Sequence, residues 1–225
     1  EAEKEADVIL WDGGNNDTPF IKPDLYLCVT DPHRAGHECT YFPGETNLRM
    51  ADVVVLNKTD TAEPADIAAV LDNAKRLNPQ AQILQADSPV TVDDPDAVRN
   101  QRVLVVEDGP TLTHGEMTYG AGHVAARKFE AAQIVDPRPY AVGSIRDTFA
   151  KYDHLSDVLP AMGYGREQME ELAATIKATP CDLVLVGTPI DLASLIEIPQ
   201  KSLRVHYRLA PHDETLLPEA IRRVV

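Results

Sequence analysis

Four residues at the end of an apolar stretch, Asn57-Lys58-Thr59-Asp60, have the types and the spacing needed to hold a purine base. The Asp60 carboxylate can accept two hydrogen bonds from guanine, one from N1–H and one from the exocyclic amine. The Lys58 stem can lie along the base, and the Asn57 amide can tie neighbouring loops together. Because the apolar run 53–56 precedes these residues and a helical pattern follows them, we favour nucleotide binding by Asn57, Lys58 and Asp60 over a chance turn.

Asp12 is the second candidate, because it follows the apolar run Val8-Ile9-Leu10-Trp11 and precedes a turn rich in Gly and Asn. An acidic side chain at the carboxyl end of a buried strand can hold the water shell of Mg²⁺ beside a bound nucleotide. An ordinary β-turn explains the same residues equally well. The base-binding pattern downstream favours the metal, and we predict that Asp12 is a metal-site residue.

The loop 31–39 contains one Arg and two His residues whose side chains could meet phosphate oxygens. We predict this role for Arg34 and His37, which follow a predicted strand, although a solvated loop is equally compatible with the sequence. His33, His37 and Cys39 are also ligand types that Zn²⁺ accepts. A fourth ligand is not evident, so we do not favour a zinc site.

A dense group of polar residues, 107–115, follows another apolar run. Ligands in open α/β sheets bind at the carboxyl ends of strands. We therefore predict that Asp108, Thr113 and His114 are catalytic residues. The alternative is a tight loop that caps a helix over residues 116–128.

These candidate residues need a scaffold, and apolar runs that alternate with helical patterns predict one. The runs are rich in Val, Leu and Ile and do not alternate with polar residues, as expected for strands buried on both faces. We predict strands over 7–12, 24–30, 52–57, 81–86, 102–107, 139–143, 182–187 and 203–208, and helices over 64–77, 166–178 and 214–224. The sequence therefore predicts an α/β fold with a mainly parallel sheet and flanking helices.

An Asp- and Pro-rich stretch at 87–101 lacks clear periodicity and indicates a seam in the chain. We predict one portion over residues 1–100 and a further α/β portion over residues 101–225. Whether the two portions share one sheet is left open.

The 225 residues include 36 Asp and Glu against 21 Lys and Arg, which gives a formal net charge of -15. Such a surface repels phosphate backbones and anionic lipid, so nucleic acid and membranes are not expected partners. No apolar run approaches the roughly 20 residues of a membrane-spanning helix. The three cysteines show no C-x-x-C pairing, so we expect the reducing cytoplasm and no disulfide framework. The oligomeric state is left open, a homodimer included.

Several of these segments together resemble cyclic 2,3-diphosphoglycerate synthetase and its predicted-GTPase relatives. The segments are 31–38 (DPHRAGHE), 41–52 (YFPGETNLRMAD), 57–60 (NKTD) and 106–115 (VEDGPTLTHG). The pattern at 57–60 is the N-K-x-D box of GTP-binding domains. The resemblance extends over most of the chain, from about residue 7 to residue 208.

The resemblance implies a P-loop NTPase-like portion followed by a further α/β portion, in a cytoplasmic enzyme that uses ATP or GTP with Mg²⁺. It implies phosphoryl transfer onto a small phosphorylated acid, in which an intramolecular phosphoanhydride closes. The implied roles are a metal-site acid for Asp12, a base site for Asn57, Lys58 and Asp60, and substrate or phosphate contacts for Arg34, His37, Asp108, Thr113 and His114.

A P-loop motif, G-x-x-x-x-G-K-[ST], is absent from the 225 residues. We therefore expect the chain to be the C-terminal part of a longer protein whose phosphate-binding loop lies upstream. Two other functions stay open. One is a GTP-dependent switch or metallochaperone, in which His33, His37 and Cys39 bind a metal transiently, and the other is a noncatalytic module. The choice of base also stays open, because the box favours guanine whereas the resembled enzyme uses ATP.

Overall fold

The computed structural model describes residues 2–14, 17–113, 117–155, 157–163 and 165–225. The chain divides into two compact units. Unit 1 comprises Glu1–Pro89 with Arg208–Val225, and unit 2 comprises Val90–Tyr207. Unit 2 is thus an insertion in the chain of unit 1. The first boundary lies within the predicted seam at 87–101, but the last residues of the chain return to unit 1 and do not continue the second predicted portion.

The fold is of the α/β class, as the sequence predicts. In chain order the described residues form β1 (Leu27–Thr30), α1 (His37–Thr40), α2 (Gly44–Met50), β2 (Val53–Leu56), α3 (Pro64–Leu77), β3 (Gln82–Asp87), β4 (Val90–Val92), β5 (Arg102–Asp108), α4 (Gly109–Thr113), α5 (Ala121–Lys128), β6 (Gln133–Ile134), α6 (Gly143–Lys151), β7 (Val158–Ala161), α7 (Arg166–Ala178), β8 (Leu183–Val186), β9 (Lys201–Tyr207), β10 (Ala210–Pro211) and α8 (Leu216–Arg222). Among the helices of this described part, none combines the length and the apolar composition needed to cross a lipid bilayer.

Unit 1 is built on a sheet with the strand order β1-β2-β3-β10. The strands β1, β2 and β3 run parallel, with Thr30, Leu56 and Gln85 in register near their carboxyl ends, and β10 runs antiparallel to β3. All four side chains of β2 are buried, as expected for an apolar strand between two neighbours. Because β1, β2 and β3 are parallel, their carboxyl ends lie at one edge of the sheet.

Helix α3 connects β2 with β3 and packs on this sheet. Pro64 begins the helix, where its fixed φ suits the first turn and its missing N–H is not needed. The buried stripe of α3 consists of Val70, Ala74 and Leu77. Asn78 follows the helix, and its Nδ2 donates to the carbonyl groups of Leu48 (2.9 Å) and Ala51 (2.8 Å). A buried amide therefore links the end of α3 to the end of α2.

Unit 2 has its own sheet with the strand order β4-β9-β8-β5, and the free edge of β5 pairs first with β6 and then with β7. Only the pairing of β4 with β9 is antiparallel among these described strands. Successive side chains of β5 alternate between two hydrophobic clusters, Val103 and Val105 in one and Leu104 and Val106 in the other. Helix α5 contributes to the first cluster and α7 to the second, so both faces of β5 are covered.

Most predicted elements are confirmed with ends that shift by a few residues, and the exceptions have physical reasons. The strand predicted over 139–143 is wrong, because Arg138–Tyr140 forms a 3₁₀ turn and Pro139 has no N–H to donate to a ladder. The strands β4, β6, β7 and β10 lie outside the predicted ranges, because their short segments, some of which contain Thr, Gln or Pro, are not part of a longer apolar run.

The strand predicted over 7–12 is also wrong, since these residues pair with no strand in the described structure. The apolar side chains of 8–11 are all exposed, Leu10 by 89%. The edge of β1 that faces away from β2 is unpaired in the same described part, and Val29 is 66% exposed. A strand needs a neighbour for its N–H and C=O groups, and an apolar run does not reveal whether the neighbour is there.

Candidate functional site

The N-K-x-D residues lie where β2 ends, at the carboxyl edge of the unit 1 sheet. The Asn57 N–H donates to the Thr30 carbonyl at the end of β1 (3.0 Å), and the Thr59 N–H donates to the Ala86 carbonyl in β3 (3.1 Å). Lys58 lies between them with a φ of 60°, in the left-handed region. Both neighbouring strands therefore hold this loop, at the edge where open α/β sheets bind ligands.

Asp60 is exposed, and one of its carboxylate oxygens is held in place. Its Oδ1 accepts the N–H of Ser88, directly after β3, at 3.0 Å. The Thr59 hydroxyl donates to Asp87 Oδ1 at 2.6 Å. These bonds join the loop that carries Asp60 to the loop after β3. A base that donates to Asp60 would meet a carboxylate whose position is fixed before binding.

Asp31, directly after β1, holds two of the predicted site residues. Its Oδ2 lies 2.6 Å from Lys58 Nζ and 3.3 Å from Arg34 Nη2. Burial alone would raise the pKa of Asp31, but Lys58, Arg34 and the N–H of His33 together hold this pKa below its ordinary value. The sequence analysis assigns no role to Asp31, although an acidic residue directly after a predicted strand is a usable signal.

Replacing Asp31 with Asn is expected to lower the free energy of unfolding by about 1–2 kcal/mol at pH 7, because the half-buried Lys58 ammonium loses its charged partner. The pKa of Asp31 is lower in the folded than in the unfolded chain, so its contribution is present above the unfolded pKa and is lost as the pH falls. Urea denaturation from pH 7 to pH 3 should show the two stabilities converging. Asp72→Asn, at an exposed position of α3, is the control, and parallel curves for wild type and Asp31→Asn would contradict the expectation.

The Asn57 side chain has a buried acceptor, Oδ1, that lacks a hydrogen-bond partner among the described residues. Buried amide oxygens are normally hydrogen-bonded, so this atom lies where a further donor belongs. A ligand or another polypeptide segment that supplies an N–H or O–H group would satisfy it. This agrees with the linking role that we predict for Asn57, and the role stays a prediction.

Arg34 and His37 lie on either side of Gly36, whose φ of 95° is in the left-handed region. The guanidinium of Arg34 is ion-paired with Asp31, and His37 begins the short helix α1. A phosphate group would have to share Arg34 with Asp31. Phosphate binding by Arg34 and His37 stays a prediction.

The side chains of His33, His37 and Cys39 have separate neighbours. These are Thr61 for His33, Tyr41 for His37 and Arg76 for Cys39. Within the described ranges, His, Cys, Asp and Glu side chains form no group of three or more that could hold a metal ion. The zinc ligands that the sequence left open are therefore not assembled here.

Asp12 lies outside the arrangement at the sheet edge. It is exposed and belongs to no strand, and the neighbouring Trp11 packs edge-on against Phe20 with the ring centroids 4.7 Å apart. The physical basis of the prediction, a carboxylate fixed at the end of a buried strand, is therefore missing in this structure. The metal role of Asp12 stays a prediction that its placement does not support.

In unit 2 the predicted catalytic residues lie around the end of β5. Asp108 Oδ2 accepts both the N–H (3.2 Å) and the hydroxyl (2.7 Å) of Thr111. Thr113 is buried, and its hydroxyl donates to the Gly109 carbonyl at 2.9 Å, within its own helix. His114 lies outside the described residues. These contacts are those of a capped helical turn, but the turn is α4 and not the helix over 116–128 that the alternative named. The catalytic roles stay predictions.

Glu107, which precedes Asp108, is 2% exposed. Its Oε1 accepts the N–H groups of Gly120 (3.1 Å) and His123 (2.9 Å) at the start of α5. A Cβ atom at Gly120 or at Gly187 would come within 2.6 Å of the Glu107 carboxylate, so these positions require glycine. Burial raises the pKa of Glu107 to about 7, although the backbone N–H groups oppose the shift.

His123 brings a second titratable group beside Glu107. Its Nε2 lies 3.9 Å from Asp157 Oδ2, and its ring packs against Tyr119 with the centroids 4.8 Å apart. Burial lowers the pKa of His123, and the Asp157 carboxylate opposes this shift. Glu107 thus binds the backbone at the start of α5, and Asp157 is the carboxylate beside the His123 ring. The sequence predicts a role only for Asp108. Its neighbour Glu107 belongs to the same polar group, whereas His123 and Asp157 lie on later segments of the chain.

Comparison with known proteins identifies similarity to a nucleotide-binding domain and to a synthetase. Residues 11–85 match the CobW/HypB/UreG nucleotide-binding domain. The chain is also 56% identical over 221 residues to arginine synthetase ArcE of Thermococcus kodakarensis, an alignment that covers 98% of this chain and 49% of that protein. The chain therefore spans about half the length of the curated relative that it matches.

The CobW/HypB/UreG match lies entirely within unit 1. It includes the predicted site residues of this unit, namely Asp12, Arg34, His37, Asn57, Lys58 and Asp60. The comparisons support a nucleotide-binding domain of the P-loop GTPase type, and they do not confirm cyclic 2,3-diphosphoglycerate synthetase. Unit 2 lies outside the CobW/HypB/UreG match and inside the match to the arginine synthetase.

Proposed function

We propose that this chain belongs to an NTP-dependent synthetase, in which unit 1 binds the nucleotide base and unit 2 binds the substrate. The observation that carries the proposal is the geometry of the N-K-x-D box. Asp60 is tied to Ser88 and Lys58 is tied to Asp31, so the base-contacting groups are fixed at the carboxyl edge of a parallel sheet. The match of residues 11–85 and the synthetase relative support the same conclusion.

In the proposed nucleotide site the chemistry of the box favours guanine, and ATP and GTP are both candidates. Asp60 accepts hydrogen bonds from the base, Lys58 lies along the base, and Asn57 links the surrounding segments. Arg34 and His37 are the candidates for phosphate contacts. Mg²⁺ would supply charge neutralisation at the phosphates in such a reaction, with Asp12 as the candidate carboxylate.

For unit 2 we propose arginine, or another amino acid with a guanidinium group, as the ligand. The relative is named for arginine synthesis, and the alignment includes nearly all of unit 2. Two carboxylates of unit 2 are candidate acceptors for a guanidinium, namely Asp108 at the end of β5 and Asp157 beside His123 in α5. The formal net charge of -15 also favours a cation over an anion.

The phosphorylated acid implied by the resemblance to cyclic 2,3-diphosphoglycerate synthetase is the competing substrate. If it bound in unit 2, its phosphates would be repelled by Asp108. If it bound in unit 1, the candidate phosphate contact Arg34 is already paired with Asp31. The two substrates therefore require opposite charges from the protein, and single substitutions can separate them.

The test is calorimetry of the protein with arginine and, separately, with 2,3-diphosphoglycerate. We expect saturable binding of arginine, weakened about tenfold or more by Asp108→Asn, because a charged hydrogen bond contributes about 1.5–3 kcal/mol. Asp96→Asn, at an exposed site of unit 2 that is paired with Arg99, is the matched control and should bind arginine as wild type does.

Saturable binding of 2,3-diphosphoglycerate that Arg34→Ala abolishes, with no binding of arginine, would contradict the arginine proposal and favour the phosphorylated acid. A GTP-dependent switch or metallochaperone is the second candidate, which the CobW/HypB/UreG match favours. Tight Zn²⁺ or Ni²⁺ binding that is lost in Cys39→Ser would support that function.

A further inference from the structure

The C-terminal segment 208–213 reaches the proposed base site, although nothing in the N-K-x-D pattern suggests it. In β10, Ala210 and Pro211 pair antiparallel with Asp87 and Ala86 of β3. The N–H of His212 then donates to the Gln85 carbonyl at 2.9 Å. The backbone that leads into the loop after β3 is therefore held on one side by β2 and on the other by this late segment.

The ring of His212 continues this attachment into the side chains of the site. Its Nε2 lies 2.9 Å from Asp87 Oδ1 and 3.3 Å from Thr59 Oγ1. The Thr59 hydroxyl also lies 2.6 Å from Asp87 Oδ1 and 3.1 Å from the Ala86 carbonyl. Three side chains from three segments thus form one joint, defined by Thr59, Asp87 and His212. The hydrogen bonds from Thr59 and from His212 both lower the pKa of Asp87.

Two residues of this joint directly precede the two residues whose hydrogen bond holds the Asp60 carboxylate in place. Thr59 precedes Asp60, and Asp87 precedes Ser88, whose N–H binds Asp60 Oδ1. A shift at the joint therefore moves both ends of the Asp60–Ser88 hydrogen bond. Base recognition depends on the direction of two hydrogen bonds. A small displacement of the Asp60 carboxylate therefore weakens the binding of a base that makes these bonds more than the binding of a base that does not.

We propose that His212 is a positioning residue of the base site, which acts through Asp87 and Thr59 to fix Asp60 and thereby sets the preference between guanine and adenine nucleotides. This inference rests on the proposed binding of a base at the N-K-x-D box. It assigns the C-terminal segment to the nucleotide site and gives His212 no contact with the nucleotide.

The matched control is His206 in β9. Its Nε2 lies 3.3 Å from Asp93 Oδ1, and its side chain is 48% exposed against 50% for His212. The two residues thus share type, exposure and an Asp partner. His206 belongs to unit 2, so His206→Ala removes an equivalent pair without touching the joint.

The experiment is a titration of the isotope-labelled protein with GTP and with ATP, followed by NMR shifts of the amides of 57–60 and 88. We expect His212→Ala to weaken GTP binding about three- to tenfold with little change for ATP, so that the GTP-to-ATP preference falls. His212→Gln should retain most of the preference, because its amide can donate to Asp87 Oδ1. Thr59→Val, which removes the joint from the other side, should reproduce the loss if His212→Ala does not fold.

A folded His212→Ala protein with the wild-type preference would overturn the inference and leave the proposed function standing. Equal losses in His212→Ala and His206→Ala would also overturn it, since a general effect on stability would then explain both. If the wild-type protein shows no nucleotide-dependent shifts at 57–60, the proposed base site itself is wrong and the inference fails with it.

Discussion

Asp60→Asn is expected to change the base preference of the nucleotide site from guanine to xanthine. Guanine offers N1–H and an exocyclic amine to the carboxylate, whereas xanthine has a carbonyl oxygen where guanine has that amine. The Asn amide can donate to this oxygen, and it can no longer accept two hydrogen bonds from guanine. Loss of two charged hydrogen bonds with incomplete additivity costs about 2–4 kcal/mol, which is a thirtyfold or larger decrease in affinity.

The measurement is NMR titration of wild type and Asp60→Asn with GTP, XTP and ATP. Because the 225 residues contain no P-loop motif, we expect the wild type to bind GTP with a dissociation constant near the millimolar range. A micromolar dissociation constant measured by calorimetry would contradict this expectation. In the variant, saturable shifts should be lost for GTP and gained for XTP. Asp66→Asn, in the first turn of α3, is the control and should behave as wild type does. Unchanged GTP affinity in Asp60→Asn would remove the box from the site.

Glu107→Gln is expected to stabilise the protein at alkaline pH and to leave it nearly unchanged at acidic pH. The pKa of Glu107 is raised from 4.5 to about 7 in the folded chain, so folding favours the protonated carboxyl. The stability that this proton provides is fully present below pH 4.5 and is lost as the pH rises through 7. The wild type should therefore lose about 3 kcal/mol relative to the variant across this interval.

Chemical denaturation at intervals from pH 4.5 to pH 9 measures this difference. Gln retains the side-chain length and one carbonyl oxygen, which can accept the N–H groups of Gly120 and His123. Glu130→Gln, at an exposed position of the same unit, should follow the wild-type curve. Parallel curves for wild type and Glu107→Gln would show that Glu107 is ionised in the folded chain throughout this range.

The sequence was informative wherever one segment alone determines the outcome. The run Val-Val-Val-Leu at 53–56 is apolar enough to be a strand between two neighbours, and this fixes the place of the box that follows it. Pro64 and Asn78-Pro79 bound α3 by local backbone chemistry, and the predicted helix 64–77 agrees with the observed helix at both ends. The α/β class follows from such elements together.

The parts that the sequence did not reveal depend on contacts between distant segments. Residues 7–12 are as apolar as the strands that were confirmed, but strand formation also requires a partner. Asp31 forms an ion pair with Lys58, and His212 contacts Asp87. The members of each pair lie far apart in the chain, so no local sequence pattern reveals either contact. Glu107 looked like one acid among several in a loop, because the glycines that enclose it come from two later segments.

The insertion of unit 2 between β3 and β10 also determines the order in which the protein is assembled on the ribosome. Asp87 is synthesised long before Ala210, its partner in the sheet, and the whole of Val90–Tyr207 is translated between them. Unit 2 is continuous in sequence and can fold as it leaves the ribosome, whereas the sheet of unit 1 is complete only after β10 has been synthesised. The joint around His212 is therefore completed only after unit 2 has been synthesised, so nascent chains that stop within unit 2 lack the contacts of His212 with Asp87 and Thr59.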